Sequence, residues 1–455
     1  MSPSLCIHNA VLVSATGARP GGILATDGMI TALLEPTDRP AADTSIDGEC
    51  RLLFPGFVDT HVHLRDPGLT YKEDFSSGSM AAACGGVTTV MCMPNTKPPL
   101  ADIGALALAR AAGQEKSYVD FCLQGSITAN NLGEVAPLWR EGVSSFEINL
   151  SDGAEGPSVE RIDDDDLLLD IMRRVAAIDA PLGMYTGHQA ITARAVPRLQ
   201  ATGRRDSRAH AEARPPIAEV VGVAKALELA LDADAKVVFR EVTTKRALEL
   251  LRRGKKDRRA GAVLVEVTPH HVLLTDDVID RLGSFAQIVP PLRSEIHRLA
   301  SLGALVDGTV DFVGSDHAPH SADEKTDDAW RSRNGTPGLE TCVPALMDLV
   351  ARGLLTYQDV CRVFSTAPAQ AFGLGGRKGT LAVGADADFA LVDPSLRRAL
   401  TPERSKSKMK RSALEGVELS GWPVLTVLRG DVVMENSQII GPPRGQFVAG
   451  QGYLG

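Results

Sequence analysis

Between residues 55 and 379, short apolar runs alternate with longer stretches in which apolar positions recur at helical spacing. VTTVMCM precedes IGALALARAAGQ, YVDFCLQ precedes LGEVAPLWREG, SSFEINL precedes DDLLLDIMRRVAAI and APLGMYT precedes AEVVGVAKALELAL. AKVVFREV then precedes KRALELLRRGKK, AVLVEVT precedes VIDRLG, and a last apolar run, VDFVGSD, closes the series. Continuous apolar runs followed by amphipathic helices predict parallel strands buried on both faces, and about eight such units close a barrel. An open doubly wound sheet is the competing arrangement, but no G-x-G-x-x-G follows a first strand.

The two ends of the chain follow a different period. Residues 1–54 read as short strands, and ILATDGMITALL sets Asp27-Gly28 between two apolar runs, a hairpin signal. GADADFALVDP and WPVLTVLRGDVVMENSQII show the same alternation near the C-terminus. A strand-rich piece of about 54 residues cannot cover both its faces alone, so the two ends are expected to share a small domain. The expected fold is a TIM (β/α)8 barrel over residues 55–379 with a small β-sandwich domain built from 1–54 and 380–455. The run Asp163 to Asp166 is expected to start a helix, where carboxylates suit the positive end of the dipole. The basic stretch ERSKSKMKRS, Glu403 to Ser412, is expected to be an exposed loop.

Composition narrows the class. At 455 residues the chain exceeds the size at which one core keeps growing, which supports two domains. With 44% hydrophobic and 23% charged residues it is an ordinary globular composition, and no apolar run is long enough to span a bilayer. The net charge of −9, with basic residues scattered, gives no footprint for nucleic acid. Seven cysteines without a C-x-x-C pair read as small core residues in a reducing compartment, and a cytoplasmic enzyme is expected.

The chemistry is concentrated in PGFVDTHVHLRDPG. His61 and His63 follow an apolar strand at i and i+2, so both imidazoles project to one side and can meet on a metal at the strand's C-terminal mouth. Asp316 in GSDHAPH ends another apolar run and lies at the same mouth, where its carboxylate can ligate and serve as a base; a helix N-cap is the plainer reading of that residue taken alone.

HVHLRDPG with MPNTKPP, EVTPHHVLLTDD, SEIHRLASLGAL and SDHAPHSADEK with NGTPGLET resembles the metal-dependent amidohydrolase superfamily, specifically its cyclic-amide branch of dihydroorotases, hydantoinases and allantoinases, and is most similar to dihydroorotase. The resemblance implies one or two Zn²⁺ ions, or Mn²⁺ or another divalent ion, held by H-x-H, a carboxylated lysine that bridges two ions, two further histidines and an aspartate. His61, His63 and Asp316 match. Elsewhere the chain departs. Glu147 stands at the lysine position, as a bridging carboxylate or an ordinary strand glutamate. Thr186 stands at one histidine position, with His188 two residues on as a substitute or a loop residue. Glu241 stands at the other, where a carboxylate remains a competent ligand. His270 and His271 are left out of the ligand set.

The resemblance also assigns Arg65 and Asn95 to the grip on a substrate carboxylate, which a guanidinium fork suits, and His320 to the edge of the ring. Val289 replaces an asparagine that contacts the ring. The expected function is a metal-dependent, dihydroorotase-like hydrolase that opens or closes a small ring bearing a carboxylate. The alternatives are a hydrolase of another cyclic amide (hydantoin, imide or lactam) and a catalytically impaired scaffold with aspartate carbamoyltransferase as its partner. A homo-oligomer with a small-molecule substrate is expected, without nucleic acid or membrane.

Overall fold

A computed structural model describes residues 3–152, 161–257 and 262–454. Among them, eight parallel strand positions ring the centre: Phe57–Val62, Val87–Cys92, Asp120–Leu123 continued by Gly125–Ser126, Phe146–Asn149, Leu182–Tyr185, Val237–Phe239, Val263–Val267 and Phe312–Val313. The ring closes where the His63 N–H donates to the His317 carbonyl at 2.9 Å and Val62 bridges His317 in parallel. The predicted helices follow their strands, as in Ile103–Lys116, Asp165–Ala176, Pro216–Ala233 and Lys245–Gly254. The acidic run opens a helix as expected: Asp164 caps it with its side chain, and Asp165 and Asp166 occupy the first turn.

Period-two alternation stacks the barrel interior in layers. The floor is apolar: Val58, Met91, Cys122, Val238, Leu264 and Phe312 pack together with Phe372 and Leu374. Two residues further along four of these strands stand Thr60, Gln124, Arg240 and Glu266, and with Glu147 they form a charged layer above the floor. The strand mouths lie above that.

The strands of both chain ends join one nine-stranded sheet. Leu52–Pro55 links the two halves, pairing in parallel with Ser4–Ser14 and antiparallel with Phe389–Arg398, and Gly56 then leads into the first barrel strand. The limit expected after residue 54 therefore falls inside a sheet strand. The Asp27-Gly28 hairpin forms, with both residues at positive φ (52° and 76°) as the tight turn requires.

The C-terminal piece also reaches beyond the sheet. Residues 446–448 bond to the backbone of Phe121 on the barrel. The stretch 403–412 corrects the expectation of an exposed loop: it runs as a strap over the barrel mouth, with Ser405, Ser407, Met409 and Ser412 buried and the intervening lysines less so. No helix among the described residues is long and apolar enough to cross a membrane.

Candidate metal centre

His61 and His63 leave the first strand with their Nε2 atoms aimed at one point, and hydrogen bonds at Nδ1 fix each ring. His61 Nδ1 lies 2.8 Å from Glu266 Oε1, and His63 Nδ1 lies 2.8 Å from Asn95 Oδ1. An Nδ1–H donated to these oxygens leaves both Nε2 lone pairs facing Asp316, whose Oδ1 stands 3.2 Å from His63 and 3.6 Å from His61. The three residues are buried, and their ligand atoms lie within 4.8 Å of one another. Four-coordinate zinc with bonds of about 2.0–2.1 Å has ligand–ligand edges of roughly 3.3 Å, so the spacing matches one divalent ion. Glu241 Oε1 stands 3.3 Å from His61 Nε2 and reaches the group from that side.

The backbone is bent to bring these side chains together. Arg65, Glu241 and Asp316 adopt left-handed φ of 60°, 52° and 43° just past their strands. Such a conformation costs a non-glycine residue roughly 1–2 kcal/mol, and recurs where a side chain must be aimed at a site. Asp59 ties two of the turns, its Oδ1 accepting from the His61 and Ser315 backbone N–H at 3.2 and 3.0 Å.

The electrostatics favour a cation. Burial works against the charged form of His61, yet the Glu266 and Glu241 carboxylates lift it to about 10. Burial brings His63 down to about 4. For Glu241, burial and then repulsion from Asp316 push the carboxyl well above its ordinary value. A divalent ion relieves that repulsion and removes the need for a proton on His61.

These residues line a cavity of about 60 Å³ shared with Arg65, Met93, Asn95, Glu147, Asn149, Tyr185, Arg240 and Val289. The cavity thus gathers every expected ligand except His188, along with Arg65 and Asn95. His188 stands at the N-cap of helix Gln189–Ala201, outside the lining, and Tyr185 is the side chain its strand sends inward. Glu147 lines the cavity, but its carboxylate is bound by Arg240, at 2.5 Å from Nη2 and 3.4 Å from Nε. His320 is fully buried outside the lining, with Nε2 2.9 Å from the Asn334 carbonyl and 3.4 Å from Arg65 Nη2, and Nδ1 3.2 Å from Lys72 Nζ. His271, outside the expected ligand set, is held between Thr268 Oγ1 and the Pro290 carbonyl at 2.7 and 3.0 Å.

Arg240, Glu266, Tyr185 and Gln124 escaped the sequence reading, although for the two charged ones a signal was present. SSFEINL, VVFREV and VLVEV each set a charged residue inside an apolar strand, and a charge so buried must be paired. A second convergence of carboxylates, Asp120, Asp386 and Asp388, is filled by Lys378, whose Nζ lies 2.6, 2.8 and 2.6 Å from them.

Comparison with known proteins agrees with this geometry. A profile of the amidohydrolase family matches residues 52–433. A dihydroorotase of Methanosarcina acetivorans is 33% identical over 99% of this chain and 96% of its own length, and an allantoinase of Rubrobacter xylanophilus is 33% identical over 96% and 95%. The solved structure of an L-hydantoinase (dihydropyrimidinase) from Arthrobacter aurescens superposes with a TM-score of 0.94 at 29% identity, covering 99% of this chain and all of that one. Fold, strand-mouth histidines and near-complete coverage of relatives that act on cyclic amides lead to one conclusion: this chain belongs to the amidohydrolase family, among the hydrolases of cyclic amide C–N bonds.

Proposed function

We propose that the chain opens and closes a small cyclic amide bearing a carboxylate, with dihydroorotate as the leading substrate, and that His61, His63 and Asp316, with Glu241 beside them, hold a divalent ion of the zinc or manganese kind. The observation that carries the reading is the convergence of two oriented Nε2 atoms and a buried carboxylate in a cavity that Arg65 also lines. A divalent ion held there supplies Lewis acidity and lowers the pKa of bound water to about 7. Asp316 is held low, to about 2: burial opposes its charge, but the neighbouring histidines outweigh that, so it remains a carboxylate able to take a proton. It receives the proton of the attacking water and delivers it to the ring nitrogen as the C–N bond breaks. Arg65 offers a planar fork to the substrate carboxylate, which fixes the ring against Asp316. Ring closure of carbamoyl aspartate is the same reaction run backwards.

A specific observation favours a second ring. Met93, Tyr185 and Val289 give the cavity an apolar wall, which suits an apolar substituent on a hydantoin or another imide. Purified protein with its metal content measured, assayed on dihydroorotate, carbamoyl aspartate, allantoin and 5-substituted hydantoins, separates the two. Turnover confined to hydantoins selects the second reading. An ion-loaded protein that turns over none of these rings overturns both. Absence of turnover together with absence of an ion leaves the scaffold reading, with aspartate carbamoyltransferase as partner.

A further inference from the structure

We infer that this centre seats a single divalent ion, and that the guanidinium of Arg240 replaces the second cation that a bridging carboxylate at position 147 would otherwise hold. The inference rests on the cyclic-amidase reading and concerns the charged layer beneath the ion seat. Arg240 is 2% exposed, and its N–H groups all meet acceptors of the protein. Nε faces Glu147 Oε2 at 3.4 Å, Nη2 faces Glu147 Oε1 and Gln124 Oε1 at 2.5 and 2.7 Å, and Nη1 faces Glu266 Oε2 and the Thr60 carbonyl at 2.6 and 3.2 Å. That accounts for the five donors of a guanidinium, a group that stays protonated in any protein environment.

Glu147 therefore has both oxygens engaged by the guanidinium, one lone pair on each. An ion bridged by it has to break the fork or sit beside a buried, permanent positive charge, and in this low-dielectric interior either costs more than an ion pair with Asp316 alone returns. Charge balance points the same way. Asp316 and Glu241 together neutralise one divalent ion, and the single negative charge that Arg240 leaves over between Glu147 and Glu266 does not balance a second one. Arg240 also acts on the seat itself: its Nη1 holds Glu266 Oε2, and Glu266 Oε1 holds His61 Nδ1, so it is a positioning residue for the first ligand.

The test loads the full-length protein with excess Co²⁺, removes loosely held ion by dialysis, and reads cobalt per chain by mass spectrometry and spin coupling by electron paramagnetic resonance. One equivalent, with the spectrum of an isolated high-spin ion, is expected. Two equivalents with a coupled spectrum overturn the inference and leave the hydrolase reading standing; no bound cobalt overturns both. Arg240→Gln frees the Glu147 carboxylate and loosens Glu266, so it is expected to take up a second equivalent while holding the first about 10-fold more weakly. If the folded variant stays at one equivalent with unchanged affinity, the guanidinium is not what excludes the second ion, and the inference fails. Should that variant not fold, the stoichiometry of the unaltered protein still decides.

Discussion

At the scale of single residues, the centre depends on groups that aim other groups. Asn95 was expected to grip a substrate carboxylate, yet its Oδ1 lies 2.8 Å from His63 Nδ1, which makes it the support of a ligand as well. Asn95→Ala is therefore expected to weaken ion binding by about 10–100-fold, read by competition with a chelating dye, and not only to raise KM. A variant with unchanged ion affinity would contradict that role. Asp316→Asn keeps the shape but cannot take a proton, so kcat is expected to fall by roughly 10²–10⁴-fold in a steady-state assay. Removing the ion with a chelator is expected to lower the melting temperature, because Asp316 and Glu241 then repel each other across a buried gap with only the singly charged His61 ring beside them. The difference amounts to about 2.7 kcal/mol for an ion present at about 100 times its dissociation constant, and calorimetry with and without chelator measures it.

At the scale of elements, how much of the site was legible depended on whether a segment announces its own partner. His61 and His63 were legible because an apolar strand ending in H-x-H fixes both their side and their end of the barrel. Glu147 and Arg240 were not, because every residue of these strands is buried and only the closed ring says which set faces the charged layer. The strap was missed for the opposite reason. ERSKSKMKRS reads as solvated by composition, but it alternates, with Ser405, Ser407 and Met409 turned inward and the lysines outward. Two buried carboxylates hold it to the barrel: Glu340 accepts from Ser405 Oγ at 2.7 Å and from the Lys406 N–H at 3.0 Å, and Glu73 accepts from Ser407 Oγ at 2.6 Å and from the Lys408 N–H, and lies 3.2 Å from His317 Nε2, beside Asp316. Ser407→Ala removes one of these bonds and is expected to cost about 1 kcal/mol, while Glu73→Ala strands several donors and is expected to cost about 2–3 kcal/mol and to lower kcat. Denaturant unfolding of both variants beside their kinetics checks the order; equal losses would mean that the strap is not anchored through Glu73.

At the scale of the whole molecule, barrel and sheet are joined by one buried cation. Lys378 Nζ is surrounded by Asp120, at the start of a barrel strand, and by Asp386 and Asp388, which lead into the sheet strand Phe389–Arg398, all with almost no exposure. Burial alone would discharge this lysine, but the three carboxylates hold its pKa well above the ordinary value. Arg429, in the turn after Leu419–Leu428, adds a second cation to Asp120 and donates its backbone N–H to Asp388 at 2.8 Å. Replacing Lys378 by methionine keeps the bulk and leaves buried carboxylates short of a partner, which is expected to cost about 3–5 kcal/mol in denaturant unfolding. The loss is expected at the junction and not at the mouth, since Asp120 begins its strand at the floor end, so ion content per folded chain should be unchanged. Adding Asp388→Asn removes one stranded charge and should recover part of the loss, a coupling that a double-mutant cycle reads directly. If the two substitutions simply add, the cluster does not act as a unit.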